Sequence, residues 1–203
     1  MGTSILTLAG RLWPTSSLNW TRAILLAIIG SAIVAISAQI SVPMLPVPMT
    51  LQTLAVLAVG AAYGARLGAI TLALYALEGA AGLPVFADFQ AGLFLPTGEI
   101  IATGGYIIGF IVAAGLVGYL VEKGWGTNIF KLCGAMLLGA AVLYVPGLIW
   151  LAGWLGVMKG MDATSAIAVA FSSGVLPFIL GDIIKAVLAA LAFPAAFSLL
   201  GRR

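Results

Sequence analysis

The sequence of 203 residues contains no histidine, a single cysteine and few charged residues, which make up 7% of the chain. Soluble domains carry charge at about 25% of their positions, so this composition does not suit a water-soluble protein. Without histidine there is no imidazole for a catalytic triad, a metal site or a proton relay. A Walker A loop requires a Gly-Lys pair, which the chain lacks, so ATP hydrolysis by that route is excluded.

The scarcity of cysteine and of basic residues restricts the possible functions further. The lone Cys133 cannot form an internal disulfide, and its apolar surroundings favour the role of a small buried side chain. The nine Lys and Arg residues give a net charge of +3, but they are scattered between apolar runs and form no basic face, which argues against a nucleic-acid partner. We therefore predict a protein without catalytic residues, metal or cofactor.

Apolar residues are what the chain has in abundance. They make up 63% of it, with a mean hydropathy of +1.20, and a spanning helix needs about 20 of them. The apolar runs fall at about residues 24–40, 51–63, 67–83, 104–121, 132–157 and 174–200. We predict an all-α integral membrane protein, in which residues 23–203 form a bundle of six transmembrane helices. Residues 1–22 are predicted to be a cytoplasmic, interfacial segment.

The basic residues sort to one side of this six-span arrangement. The side that carries both termini holds Arg11, Arg22, Arg66, Lys123, Lys131, Arg202 and Arg203. Lys159 falls on the opposite side. Because Lys and Arg are enriched in cytoplasmic loops, the N- and C-termini are both predicted to be cytoplasmic.

Charged residues inside the predicted spans require an explanation. Asp182 and Lys185 lie three residues apart in the sixth span, so they share one helical face. Each costs about 2.5–3.5 kcal/mol at mid-bilayer. They are either a structural pair that locks the bundle or a site for a polar ligand, and intramembrane charges favour function. Glu78, near the outer end of the third span, is compatible with an interfacial or a functional role.

The remaining unusual features fall in the outer half of the bundle. An apolar loop at residues 84–103 leads into Thr103-Gly104-Gly105-Tyr106, where glycines allow backbone amides to approach a ligand. Gln52 follows a loop stiffened by prolines, and Trp150 or Tyr144 could wall a pocket. This distribution predicts a ligand cavity open to the outside, with no matching polar path on the cytoplasmic side.

Four motifs in this order resemble those of the BioY family. They are Pro48-Met49-Thr50-Leu51-Gln52-Thr53, Gly82-Leu83-Pro84-Val85-Phe86-Ala87, Thr103-Gly104-Gly105-Tyr106 with Gly109-Phe110, and Pro177-Phe178 with Gly181-Asp182-Ile183-Ile184-Lys185. Members of this family are biotin-specific substrate-binding (S) components of energy-coupling factor (ECF) transporters. The resemblance covers most of the chain, from about residue 50 to residue 185.

The resemblance implies an ECF S-component-like bundle of six helices in the bacterial cytoplasmic membrane, a multi-pass protein that captures biotin from the outside. Its partners would be membrane lipid, a coupling transmembrane protein and ABC-type ATPase subunits, which agrees with the missing Walker motif. The coupling protein would dock on small residues of the first helix, kept here as Ala23 and Ala27.

The resemblance also implies which residues contact the ligand. The candidates are Thr50, Gln52, Phe89, Thr103, Gly104, Gly105, Tyr106, Tyr144, Trp150, Asp182 and Lys185. Either Lys185 pairs with the valerate carboxylate, or the Asp182/Lys185 pair holds the ureido group, while Phe89 covers the thioether ring. The sequence Asp88-Phe89-Gln90 departs from the glycine-rich loop of many relatives, so contacts from that loop are less well supported.

Three alternatives stay open at this point. The chain could be an S component for another small vitamin, or a biotin carrier that works without coupling proteins. A membrane enzyme acting on lipid would have to draw its acid and base from Glu78, Asp88, Glu99 and Asp182. That alternative lacks both histidine and a reactive nucleophile.

Overall fold

The computed structural model describes residue 7, residues 20–92 and residues 100–200, and these residues form seven α-helices and one two-stranded sheet. The helices are α1 (Trp20–Ala38), α2 (Gln52–Tyr63), α3 (Ala65–Ala80), α4 (Gly104–Glu122), α5 (Ile129–Lys159), α6 (Ala163–Gly174) and α7 (Leu176–Leu200). The strands are β1 (Ser41–Val42) and β2 (Met49–Thr50). The predicted all-α class is thereby confirmed.

Four segments of the described residues are long and apolar enough to cross a bilayer. They are Trp20–Ala38, Gly104–Glu122, Ile129–Lys159 and Ala163–Leu191. With 12 residues, α2 is shorter than a full span. The protein is therefore a multi-pass membrane protein, while the count of six spans and the side of the termini stay predictions. Most of the predicted segment 1–22 lies outside the described residues, as do Arg202 and Arg203.

The connection before the last predicted span is shorter than the sequence suggested. The apolar runs left residues 158–173 outside any predicted span, but α6 begins at Ala163, where Asp162 caps it by accepting from the amides of Thr164 and Ser165 at 3.1 Å. Hydrogen bonds from Ser165 hold the pKa of this carboxyl below its usual value. The prediction missed α6 because its Thr and Ser residues lower its hydropathy.

The helix pair α6 and α7 is separated by a break at Val175, with φ −128° and ψ −58°. Pro177 is the second residue of α7. In that first turn its missing N–H leaves no helical hydrogen bond unmade. The break separates α6 from α7, the helix that carries Asp182 and Lys185.

A second break separates α2 from α3 at Gly64, whose φ of +84° lies in the region that favours glycine. The amide of Ala65, at the start of α3, donates to Glu122 Oε1 of α4 at 3.0 Å. A carboxylate at a helix N-terminus satisfies an otherwise unpaired N–H and complements the helix dipole. Glu122 therefore fixes the position at which the second predicted span ends and the third begins.

Helix α4 forms the centre of the bundle, since 11 of its 19 residues are buried against six of 19 in α1. It approaches its neighbours through glycine. A Cβ at Gly60 of α2 would lie 2.6 Å from the carbonyl oxygen of Ala114, and one at Gly109 would lie 2.5 Å from that of Leu143. Gly60 and Gly64, like Gly105 and Gly109, stand four residues apart in the sequence, a spacing that lets helices cross closely in a membrane.

The ends of the helices that lie opposite the α2–α3 break are joined by ordered loops. Strands β1 and β2 pair antiparallel, with Ser41 opposite Thr50, and close the proline-rich loop, which is non-helical as expected. The loop after α3 is held by Gln39, the residue that follows α1. Its side chain donates to the carbonyl of Phe86 at 2.9 Å and accepts from the amide of Phe89 at 3.0 Å.

Candidate functional site

A cavity lies between α2, α4, α5 and α7, beneath the ordered loops. Concave, largely apolar spaces between the helices of a bundle are where small molecules usually bind. The lining consists of Val47, Pro48, Thr50, Gln52, Thr53, Tyr75, Phe86, Ala87, Thr103, Tyr106, Ile107, Phe110, Leu143, Tyr144, Phe178, Asp182 and Lys185. The lining is thus mostly apolar and aromatic, with a few polar groups gathered at one end.

The charged end of the cavity is built around Lys185. Its ammonium donates to the carbonyl of Thr50 at 2.7 Å, to Thr53 Oγ1 at 2.9 Å and to Asp182 Oδ1 at 3.1 Å. These three acceptors match the three N–H donors of the group. The lysine is therefore held in one position before any ligand arrives.

Asp182 is the other half of this ion pair, and it is 4% exposed. Its Oδ1 also accepts from Thr53 Oγ1 at 2.8 Å, and its Oδ2 accepts from the hydroxyl of Tyr144. A buried charge is tolerated only when it is paired and hydrogen-bonded. The resulting network joins α2, α5 and α7, so the two charges both hold the bundle and line the cavity.

A second chain of hydrogen bonds lies on the side of α2 and α3. Gln52 donates its amide to the hydroxyl of Tyr75 at 2.6 Å, and that hydroxyl donates to the carbonyl of Val85 at 3.1 Å. The ring of Tyr75 meets the edge of Phe86, with ring centroids 5.6 Å apart. This chain connects the cavity wall to the loop that covers it.

Aromatic rings form the apolar walls. Tyr106 and Tyr144 meet edge to face with centroids 6.4 Å apart, an arrangement that aromatic pairs prefer. The hydroxyl of Tyr106 donates to the carbonyl of Gly174 at 2.8 Å, at the break between α6 and α7. The cavity thus suits a small molecule with a flat apolar part and a hydrogen-bonding part.

The structure brings seven of the predicted ligand contacts together. The lining includes Thr50, Gln52, Thr103, Tyr106, Tyr144, Asp182 and Lys185. Gly104 and Gly105 lie behind the wall, packed against Trp150, whose indole donates to the carbonyl of Ile101 at 2.8 Å. Phe89 lies on the surface, 69% exposed. As ligand contacts, all eleven residues remain predictions, although seven of them line the cavity.

Thr53 and Tyr75 are lining residues that sequence reasoning did not select. Thr53 stands one position after Gln52 in the first motif, and Tyr75 places a hydroxyl inside an apolar helix. A polar group in such a helix requires a buried partner. The need of its hydroxyl for a buried partner was therefore the one sign in the sequence that could have identified Tyr75.

The other residues singled out from the sequence lie away from the cavity. Glu78 of α3 accepts from Ser31 of α1 at 3.1 Å and so joins these two helices. On α1, Ala23 is half-buried and Ala27 is 5% exposed. Their role in docking a partner stays a prediction.

Comparison with known proteins gives consistent results. The sequence model of the BioY family matches residues 9–202. The chain is 39% identical over 155 residues to the "Probable biotin transporter BioY" of Pyrococcus horikoshii, covering 76% of this chain and 83% of the relative. It is 37% identical over 170 residues to the "Biotin transporter BioY" of Thermotoga maritima, covering 84% and 92%.

One solved structure shares the fold. It is the crystal structure of the S-component for biotin from an ECF-type ABC transporter, which matches with a TM-score of 0.70 at 24% sequence identity. The match covers 90% of this chain and 95% of the solved one. The arrangement of helices described above is therefore that of an S-component.

Proposed function

Because this chain belongs to the BioY family, we propose that it takes up biotin across the membrane as the S component of an ECF-type transporter. It is a transport protein and not an enzyme. The single observation that carries the proposal is the cavity, in which an ordered Lys185–Asp182 pair stands opposite aromatic walls. Biotin has matching parts, namely a cyclic urea, an apolar thioether ring and a carboxylate tail.

The charge balance of the cavity bears on how biotin is oriented. Lys185 and Asp182 are the charged residues of its lining, and they neutralise each other. A carboxylate placed there would add a negative charge to a pair that is already compensated, and buried charge without a partner is costly. A urea group is neutral and offers one carbonyl and two N–H groups. We therefore favour the ureido ring at the Asp182/Lys185 end over the carboxylate.

A neutral analogue separates the two orientations. If the pair holds the ureido ring, Lys185→Met weakens biotin and biotinamide by the same factor, since both carry the ring. If Lys185 holds the carboxylate, biotinamide already binds poorly to the wild type and the substitution changes its affinity little. Equilibrium binding of both ligands to both proteins in detergent gives the answer.

The outer loops would close the cavity over bound biotin. The proline-rich loop contributes Val47 and Pro48 to the lining, and the loop held by Gln39 contributes Phe86 and Ala87. In this proposal the exposed Phe89 folds inward over the thioether ring. The glycine turn Gly104-Gly105 supports the same end of α4.

Energy for transport would come from partner subunits. The proposed arrangement has six spans in residues 23–203, cytoplasmic termini and a location in the bacterial cytoplasmic membrane. A coupling membrane protein would dock at Ala23 and Ala27, and ABC-type ATPases would supply hydrolysis. The absence of a Gly-Lys pair for a Walker A loop supports this division of labour.

Equilibrium binding of biotin to the purified chain, with other vitamins as competitors, tests the proposal. We expect tight binding that a large excess of riboflavin, thiamine or folate does not displace. Displacement by one of these would reassign the ligand to another vitamin. A folded sample that binds no biotin at all would overturn the biotin assignment.

A further inference from the structure

A second cavity lies on the side of the bundle, in a groove between α5, α6 and α7. It is lined mainly by Leu137, Ala141, Val145, Leu148, Phe171 and Ile179. Its floor consists of Tyr144 and Asp182, which also line the ligand cavity. The hydrogen bond between these two side chains thus separates the two spaces.

The position of this groove within the membrane follows from the length of α5. The helix has 31 residues, and about 20 residues cross the hydrocarbon layer. Every stretch of that length within Ile129–Lys159 contains residues 140–148. The groove residues of α5 from Ala140 to Leu148 therefore lie in hydrocarbon wherever the helix sits along the membrane normal.

The groove has a structural cause. The break at Val175 separates α6 from α7, and Val175 itself lines the groove, while α5 presents Ala140 and Ala141 at this level. Small side chains facing a broken helix leave space that larger ones would fill. At the rim, Val145 and Ile183 are 58% and 43% exposed, so the groove opens to the outside of the bundle.

The chemistry of the lining indicates which kind of molecule can occupy the groove. The polar atoms of the floor are engaged in the network that includes Lys185 and Thr53, so they call for no further polar partner. Water is not available at this depth, and an empty space forfeits dispersion contacts. The matching occupant is a flexible hydrocarbon chain, and the surrounding bilayer supplies phospholipid tails.

We propose that this groove is a binding site for one acyl chain of a membrane phospholipid. The bound chain packs against the outer side of Tyr144, whose inner side faces the ligand cavity. This inference goes beyond the proposed function, because it does not depend on which ligand the inner cavity holds.

Photolabelling distinguishes a site from ordinary contact with the bilayer. The protein is reconstituted in phosphatidylcholine vesicles that contain a phosphatidylcholine with a diazirine in the middle of one acyl chain. After irradiation, adducts are mapped by peptide mass spectrometry. We expect an excess of adducts on residues 137–148 and 171–183 over Ile29 and Ile33 of α1, which are 53% and 48% exposed. Labelling in simple proportion to exposure would overturn the proposal.

A matched pair of variants completes the test. Ala141→Trp fills the groove, whereas Ile149→Trp adds the same side chain to α5 at a position 71% exposed and outside the groove. We expect Ala141→Trp to abolish the excess labelling and Ile149→Trp to leave it unchanged. If both variants retain the excess, the labelled site is not this groove. Should Ala141→Trp fail to fold, the wild-type distribution still decides.

Discussion

Two regions of this bundle hold helices together in opposite ways. Where α4 crosses α2 and α3, Gly60 and Gly118 bring backbones into direct contact, and no side chain intervenes. Where α2, α5 and α7 meet, the side chains of Thr53, Tyr144 and Asp182 join the helices through hydrogen bonds. Both serve a bundle in lipid, where apolar surface alone gives helices little reason to associate.

The difference indicates where function is located. Where the helices cross at Gly60 and Gly118, there is neither space for a ligand nor a free polar group. These crossings therefore contribute helix packing alone. The network around Lys185 borders a cavity, and its hydrogen bonds are of a kind that a ligand can exchange. Four substitutions distinguish helix contact through glycine from helix contact through hydrogen-bonded side chains. The largest expected effect comes from breaking the ion pair.

Lys185→Met removes one partner of the buried ion pair. We expect a loss of about 3–5 kcal/mol in the free energy of unfolding, because Asp182 is left as an uncompensated buried charge. Biotin binding should weaken as well. SDS titration in mixed micelles measures the first effect and equilibrium binding the second.

The double variant Lys185→Met/Asp182→Asn is the matched control, since it removes both charges. We expect it to recover most of the lost stability and none of the binding. Lys159→Met, at an exposed lysine above the ring of Trp154, should change neither quantity. A single variant that unfolds like wild type would show that the pair is not buried in the way described.

Gly118→Ala tests the helix contact that glycine makes possible. An added Cβ would collide with the backbone of Gly64 and Ala65, and overpacking of this kind costs about 1–3 kcal/mol. We expect the unfolding midpoint to fall while the biotin affinity of the folded fraction stays unchanged. Gly115→Ala on the same helix meets nothing closer than 3.6 Å and should be neutral. Equal effects of the two substitutions would refute close approach as the reason for Gly118.

Thr53→Val tests whether the network prepares the site. Thr53 accepts from Lys185 and donates to Asp182, and a buried hydrogen bond left unmade costs about 1–3 kcal/mol. We expect biotin affinity to fall by about tenfold for each 1.4 kcal/mol of that cost. Thr53→Ser keeps the hydroxyl and should restore binding, as measured by titration. Failure of serine to rescue would assign the effect to the methyl group instead.

The two regions were not equally predictable from the sequence. Asp182 and Lys185 stand three residues apart in an apolar run, so their pairing followed from helical periodicity alone. The four-residue spacing of Gly105 and Gly109 is likewise a pattern within one helix. What these local patterns predict is which residues share a face of one helix.

The partners on other helices were harder to predict. Thr53 and Asp182 are separated by 129 positions, and a lone threonine in an apolar helix does not indicate its partner. Trp150 was a candidate wall of the pocket, yet it packs behind the glycine turn, because the rotation of α5 is set by contacts along its whole length. Such contacts depend on the assembled bundle and are not encoded in one motif.

Tyr106 combines both kinds of contact, since it packs on a glycine and makes a hydrogen bond, and its substitution has the smallest expected effect. Its ring lines the cavity and packs on Gly147, while its hydroxyl donates to the carbonyl of Gly174 at the α6–α7 break. Tyr106→Phe should therefore lower the free energy of unfolding by about 0.5–1.5 kcal/mol, the worth of one hydrogen bond, with little change in biotin affinity. The half-exposed Tyr119, substituted to Phe on the same helix, serves as the control. If Tyr106→Phe instead lowers affinity and leaves stability intact, its hydroxyl turns toward the ligand, and the helix break is held by other contacts.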